Sequence, residues 1–336
     1  MAFLSTTVAW DTIRSITHPK VAQKIADNIT AKIPLIYFLN RLGHKEHENG
    51  GFNYVLPVFK EVPSAQAYTG NSTLTAAEAD PGTVAIYERK QLTVPIVATG
   101  TKMLQNSGSN PEAIVNYMEF MVEQAQEGIK QGLADRTTGI MSANAETDTG
   151  VTGLQNILPD STTTGVAGGL SRVTYAFWRH QTNSVATGFN TDGLPSMNSL
   201  YFDCVRGDES PTVIIMTQAG YVNFLRSLTG TINFNQPSGG QQGSPATSDA
   251  DIGFPHTKFY GTPVTFDAYT PDNRAYFLSL KYMKLLVHSE RDMSIRDYIT
   301  PTDQDSLLAR IYWAGNLVCN NLSRQGLLQG LIETWA

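Results

Sequence analysis

Asn110-Pro111-Glu112 is a strong helix start in mid-chain, and the helix it opens is longer than an ordinary compact domain needs. The Asn side chain can accept a bond from a free backbone N–H, Pro in the first turn gives up no intrahelical bond, and Glu sits well at the positive helix end. Ile114, Met118, Met121, Ala125, Ile129 and Leu133 then form one stripe, widened by Val115, Phe120 and Val122. If the helix continues to about Ser142 it is roughly 45–50 Å long at 1.5 Å per residue. Gly128, Gly132 and Gly139 interrupt it at about 1 kcal/mol each relative to alanine, and close approach of another backbone is the structural reason they suggest.

The segments before this helix do not cover one another. Residues 1–45 offer one helix, opened by Pro19, with Val21, Ile25, Ile29 and Ile33 at i+4 spacing and Pro34 as its stop. A single-striped helix needs a surface for its stripe, so this segment reads as an arm that docks elsewhere. From Gly50-Gly51 to about Gln105 the pattern turns to strands, Phe52 to Lys60 and Thr83 to Ala98, around a polar stretch closed by Asp80-Pro81-Gly82. This is one long two-stranded excursion, marginal in isolation, and nothing local in the sequence is available to cover it.

Beyond the helix, Gly153-Leu154-Gln155-Asn156-Ile157-Leu158-Pro159 opens an α/β region. Helices are predicted over Leu170 to Val185 and Pro195 to Val205. Thr212 to Met216 is a short apolar strand, and Thr217 caps a helix holding Tyr221, Phe224, Leu225 and Leu228. A Gly-rich loop, Gly230 to Asp251, precedes strands at Thr257–Phe266, Ala275–Leu280 and Leu285–His288. Leu307 to Val318 is again extended, with Ile311, Trp313 and Leu317 on one face, and Gln325 to Leu331 is placed to pair back on it. The long elements thus bracket a compact α/β region and form a second, elongated domain from separated segments.

Only 16% of the 336 residues are charged, against roughly 25% in ordinary soluble chains. Low charge with ample polarity suits surfaces that end against other protein, where full charges are expensive to desolvate. Hydrophobic residues make up 41% of the chain, enough for a sizeable core and too many for disorder. The net charge is −6, from 24 basic and 30 acidic residues, and the basic residues are scattered singly apart from Arg89-Lys90, so the footprint of a nucleic-acid binder is missing. Cys204 and Cys319 have no partner at Cys-x-x-Cys spacing and read as reduced, buried thiols. Met1-Ala2-Phe3-Leu4-Ser5 lacks the basic and apolar regions of a secretory leader, and Ile33 to Leu39 is too short to span a bilayer. The expected setting is a cytoplasm, with no membrane.

The search for chemistry yields no catalytic constellation. His44-Lys45-Glu46-His47-Glu48 has metal-ligand residue types but no third ligand in sequence and not the His-Glu-x-x-His pattern of zinc hydrolases; a solvated loop is the better reading. Asp249-x-Asp251-x-Gly253 lacks the spacing and closing Glu of a calcium loop. No phosphate loop, dinucleotide fingerprint or Gly-x-Ser-x-Gly elbow is present, and His18, His180, His256 and His288 stand alone. No cofactor is expected, and the chain is not expected to be an enzyme.

The order of these elements resembles the major capsid (coat) proteins of tailed bacteriophages, the α+β fold first described for phage Hong Kong 97. The helix from Asn110 looks like that family's spine helix, and Gly153-Leu154-Gln155-Asn156 resembles the short signature that follows it. Thr212-Val213-Ile214-Ile215-Met216-Thr217 looks like the axial domain's strand and helix start, and Tyr260-Gly261-Thr262-Pro263-Val264 like its Leu-x-Gly-x-Pro-Val strand. The resemblance implies an N-terminal arm (1–45), an E-loop β-hairpin (46–106), a spine helix of the peripheral domain (107–150), an axial domain (151–289) and peripheral return strands (290–336). It also implies a virion shell of pentamers and hexamers, assembled in the host bacterial cytoplasm. The icosahedral head would enclose double-stranded DNA without sequence-specific binding, with scaffolding, portal and decoration proteins as partners.

The chain starts directly at the arm, without the charged helical extension of some relatives, which implies a separate scaffolding protein or a processed chain. Candidate subunit contacts are Phe52, Tyr54, Val58, Tyr68, Ile86 and Tyr87 on the hairpin and Ile25 and Ile29 on the arm. Some relatives weld subunits through Lys–Asn bonds. Lys60 and Lys90 lie near the hairpin, and Asn316, Asn320 and Asn321 near the return strands, but the residues do not match that pattern, and solvated side chains are the expectation. The alternatives are an encapsulin-like nanocompartment shell and, remotely, a metal-dependent hydrolase using His44 and His47.

Overall fold

A computed structural model describes residues 33–60, 65–73, 80–106, 111–229 and 257–331. The arm helix with Ile25 and Ile29, part of the hairpin tip and the Gly230 to Asp251 loop lie outside the described residues. The first described elements are helix α1 (Pro34–Arg41) and strands β1 (Lys45–Glu48), β2 (Asn53–Phe59), β3 (Gly82–Glu88) and β4 (Lys90–Thr99). Helices α2 (Gly100–Asn106) and α3 (Pro111–Ala134) and the single turn α4 (Leu154–Ile157) follow. Then come β5 (Val166–Ala167), β6 (Leu170–Ser171), β7 (Gln181–Ser184), helix α5 (Leu194–Cys204), β8 (Val213–Met216) and helix α6 (Gln218–Thr229). The chain ends with β9 (Thr257–Phe259), β10 (Thr262–Phe266), β11 (Arg274–Leu278), β12 (Met283–His288), β13 (Ser294–Ile295), β14 (Ser306–Cys319) and β15 (Gly326–Gln329).

Contacts divide the chain into two units. The smaller contains 91–133 and 287–314. There β4 and β13 each pair with β14, with Ser294 opposite Tyr312 and Ile295 opposite Ile311. Ala125, Ile129 and Leu133 on α3 are buried at the expected i+4 spacing. Among the described residues a Cβ on Gly128 would only touch Val94, and one on Gly132 would meet nothing within 4 Å, so neither glycine is required by a described backbone neighbour. The helix also stops at Ala134 rather than near Ser142. Its 24 residues are about 36 Å long. Asp135 ends it by accepting from the Thr137 N–H and hydroxyl, which draws the next residues into turns.

The larger unit holds 33–90, 134–286 and 315–331. Its sheet runs β7-β15-β11-β8-β10-β9, with β8/β10 and β7/β15 parallel and the other pairs antiparallel. Val213–Met216 is buried at every position, as a central strand of β-branched residues requires. Thr217 then accepts a hydrogen bond from the Gly220 N–H at 3.2 Å and starts α6. Met197, Leu200 and Tyr201 of α5 and Tyr221 and Phe224 of α6 share one core with Ile214, Val264, Phe277 and Leu328 of the sheet.

Pro34 opens helix α1, since proline is suited to a first helical position, where no N–H is needed; the helix it is expected to stop lies outside the described residues. Two local expectations change. Leu170 to Val185 is not a helix. Gly168 and Gly169, both at positive φ, form the β5–β6 turn. Arg172 then donates to the Asn156 and Ile157 carbonyls, and the chain goes on through a 3₁₀ turn to β7. Finally, Gly326–Gln329 pairs with β11 and β7 rather than returning to β14. Leu327 and Leu328 are fully buried, and both strand edges are occupied.

Gly326 permits that placement, since a Cβ there would lie 2.7 Å from Cys204 Sγ and 3.2 Å from Leu200. We expect Gly326→Ala to lower stability by about 1–3 kcal/mol in urea titrations, with part of the loss restored by adding Cys204→Ala; no loss, or no restoration, refutes the packing argument.

His180 is buried, and burial together with the Arg172 charge lowers its pKa to about 4. As pH falls from about 6.5 the unfolded chain takes up this proton before the folded one does, so stability declines down to about pH 4 and levels off below it. The slope in that window is up to about 1.4 kcal/mol per pH unit. His180→Gln should flatten that part of the stability profile, and an unchanged slope contradicts the assignment.

Candidate subunit-contact surface

The two long hairpin strands pair in register from Asn53 opposite Glu88 to Phe59 opposite Gly82. Strand alternation separates their side chains into two faces. Tyr54, Ala85 and Tyr87 turn one way and are buried. Val55, Pro57 and Phe59 of β2 and Val84 and Ile86 of β3 turn the other way and are exposed.

The inward face is covered locally, contrary to the sequence expectation. Gly168 of the β5–β6 turn lies so close that a Cβ would come within 3.0 Å of Ala85 and the Tyr87 ring, and its carbonyl accepts the Ile86 N–H at 2.9 Å. The hairpin root is held by buried polar groups. Tyr87 donates its hydroxyl proton to the Cys319 carbonyl at 2.9 Å. The Asn316 amide donates to the Glu88 carbonyl at 2.7 Å and to Thr152 Oγ1 at 2.8 Å, while its oxygen accepts the N–H groups of Thr152 and Leu317. The Lys90 ammonium, with only 6% of its surface exposed, reaches Glu88, the Asp148 carbonyl at 2.6 Å and the Glu146 carbonyl. Burial pushes the Tyr87 hydroxyl well above the ordinary phenol range and the Cys319 thiol up to about 12. Both stay protonated as the hydrogen bonding requires.

The outward face has no comparable cover among the described residues. Phe59 is 86% exposed and Phe52, just before β2, is 90% exposed. At the end of the strands away from the root, Pro57, Val58, Phe59, Gly82, Thr83 and Val84, drawn from both faces, line an apolar recess of about 560 Å³. Fully burying a side chain such as Val, Ile or Phe contributes roughly 1.5–3 kcal/mol. The outward face is therefore a strong candidate for contact with another chain.

Of the residues expected to make contacts, Phe52, Tyr68 and Ile86 are exposed and Val58 is half-buried. Tyr54 and Tyr87 are corrected: both belong to the chain's own interior, because alternation turns Tyr87 inward when Ile86 points outward. Val55, Pro57, Phe59 and Val84 were not singled out. Their shared parity with Ile86 is the signal that finds them, once the register is known. Lys90 and Asn316 serve the hairpin root, and Lys60 pairs with Asp80 at 2.7 Å. His44 and His47 flank and occupy β1, where their odd separation favours opposite faces. Among the described residues no group of three or more His, Cys, Asp or Glu side chains could hold a metal ion, and no helix is long and apolar enough to cross a membrane.

No protein-family model matches this chain, and no curated protein matches it. Solved structures do. A chain of the cyanophage A-1(L) capsid asymmetric unit is 16% identical with a TM-score of 0.68, the match covering 94% of this chain and 97% of that one. A chain of the capsid of a native GTA particle is 9% identical with a TM-score of 0.58 (98% and 100% covered). A chain of the holo-SrpI encapsulin complex from Synechococcus elongatus PCC 7942 is 12% identical with a TM-score of 0.53 (99% and 98% covered). The fold is thus that of capsid subunits. More particularly, the mixed helix and sheet architecture is the Hong Kong 97-type capsid fold.

Replacing Asn316 by leucine would leave the Glu88 carbonyl and the Thr152 N–H buried without partners, each at about 1–3 kcal/mol. We expect Asn316→Leu to lower the melting temperature and to raise amide hydrogen exchange along β2 and β3 before the rest of the chain; unchanged exchange there would show that the root does not hold the hairpin.

Proposed function

We propose that the chain is the major shell subunit of a tailed phage, forming pentamers and hexamers that close into an icosahedral head around double-stranded DNA. The observation that carries this reading is the hairpin: a firmly rooted two-stranded arm whose outward face, Val55, Pro57, Phe59, Val84 and Ile86, is apolar and uncovered among the described residues. A head-to-tail contact between such a face and a different patch on the next copy closes rings, which a self-complementary patch does not. The fold supports the same reading, as does the net charge of −6, since a mildly acidic wall repels packed phosphate instead of gripping it. On this reading the arm at 1–45 docks on a neighbour, and scaffolding, portal and decoration proteins complete the particle.

The encapsulin likeness gives a second reading, a compartment around a protein cargo. Electron microscopy of the full-length protein should show uniform polyhedral shells or tubes, and nuclease-protected double-stranded DNA in particles from the native source separates a head from a compartment. The double variant Val55→Asp, Phe59→Asp should remain folded, because both side chains are exposed, yet fail to assemble, since a carboxylate at a desolvated contact costs several kcal/mol. Normal shells from that variant, or dispersed monomers of the parent under all assembly conditions, would refute the proposal.

A further inference from the structure

Behind the 3₁₀ turn that precedes β7 lies a cavity of about 430 Å³ whose charged lining is entirely basic. Arg179 and Arg206 line it together with His180 and the hydroxyl-bearing Thr162, Thr182 and Ser323, and no Asp or Glu does. In a chain with more acidic than basic residues, two arginines facing one space without a carboxylate is an unusual arrangement.

Neither arginine is neutralised elsewhere among the described residues. Arg179 donates from Nε to the Arg172 carbonyl at 2.9 Å and from a terminal nitrogen to the Val173 carbonyl at 3.3 Å. These bonds fix its guanidinium without cancelling its charge and leave further N–H donors uncommitted. Arg206 is exposed and bonds to the turn at Glu209 through its backbone. The Glu209 carboxylate on that turn is committed to Lys281, Tyr282 and Arg324. His180 is 2% exposed and is turned toward the Pro159 backbone. Arg172 adds a buried cation nearby.

The geometry points to an oxyanion-binding site in this cavity, held by Arg179 and Arg206 with the Thr162 hydroxyl beside them; the Thr182 and Ser323 hydroxyls already donate to the Leu327 carbonyl and to Asn321. One guanidinium fixed at Arg179 and a second at the exposed Arg206 suit a sulfate, phosphate or carboxylate group, with arginine favouring a two-pronged bond to its oxygens. The oxyanion has two sources: a free inorganic anion, or an Asp or Glu side chain on another polypeptide. The site does not depend on the shell-subunit reading, and it can be tested on the unassembled chain.

Calorimetric titration and thermal melting of the full-length protein with sodium sulfate, and separately with a capped peptide rich in glutamate, test the proposal. At least one probe should bind with a stoichiometry near one and raise the melting temperature. Arg206→Gln should weaken that binding by about tenfold or more, because a charged hydrogen bond is lost. That variant should fold normally, since the Arg206 side chain is exposed. Arg310→Gln, at another exposed position, should bind like the parent. Tighter binding of the peptide identifies a protein carboxylate as the natural occupant, and tighter binding of sulfate a free anion. Binding of neither probe, or binding equal in the parent and Arg206→Gln, overturns the site.

Discussion

The hairpin root depends on one buried amide. Asn316 is fully buried, and its amide bonds to Glu88, to Thr152 and to the backbone of its own strand. It thereby joins the end of β3, the segment after α3 and β14 at a single point. A hydrophobic residue of similar size would fill the space and leave a carbonyl and an N–H unpaired, so the position is specified by hydrogen bonding as well as by volume. Lys90 and Tyr87 reinforce the joint, each by giving protons to backbone carbonyls.

From this root the two faces of the hairpin follow. Tyr54 and Tyr87 are opposite each other in the ladder, and burying Tyr87 under Gly168 fixes which parity of each strand turns inward. A slip of one residue would place Ile86 under the β5–β6 turn and expose Tyr87, separating its hydroxyl from the Cys319 carbonyl. The same register therefore turns Val55, Pro57, Phe59, Val84 and Ile86 outward together. Their exposure is a consequence of a stable internal arrangement, so in the proposed shell a neighbouring copy would meet a surface already set in place and spend little ordering it.

Much of this architecture was legible in the sequence where periodicity was strong. The helix start at Pro111, the Ala125, Ile129 and Leu133 stripe and the apolar Val213–Met216 strand all read directly, because each element is encoded within its own segment. Leu170 to Val185 did not, since its conformation is dictated by distant groups, Arg172 bonding to the 156–157 carbonyls and Gln181–Ser184 pairing with β15. Gln325 to Leu331 failed for a related reason: an apolar strand does not announce its neighbours. At the contact surface the segment was legible and the parity was not. Tyr54 and Tyr87 belong to the same aromatic and β-branched run as the residues that point outward, and tertiary contacts, Gly168 against the Tyr87 ring and the Cys319 carbonyl on its hydroxyl, set the parity.

The chemistry of the outward face also bears on how strongly copies should hold one another. Its centre carries no charge, while Lys60 and Asp80 pair with each other and Glu88 sits at the root. An apolar centre between polar ends gives a contact driven by burial, with charges left where water can reach them. Only a few side chains take part, so the gross gain is several kcal/mol before the cost of association is deducted. A single contact of that strength is reversible. In the proposed ring each copy is held through contacts on both sides, and correctly closed rings gain stability that open, misplaced chains lack. The low charged fraction that the sequence displays is then consistent with many moderate apolar and polar contacts spread over each subunit, instead of a few strong ion pairs whose strength would vary with salt.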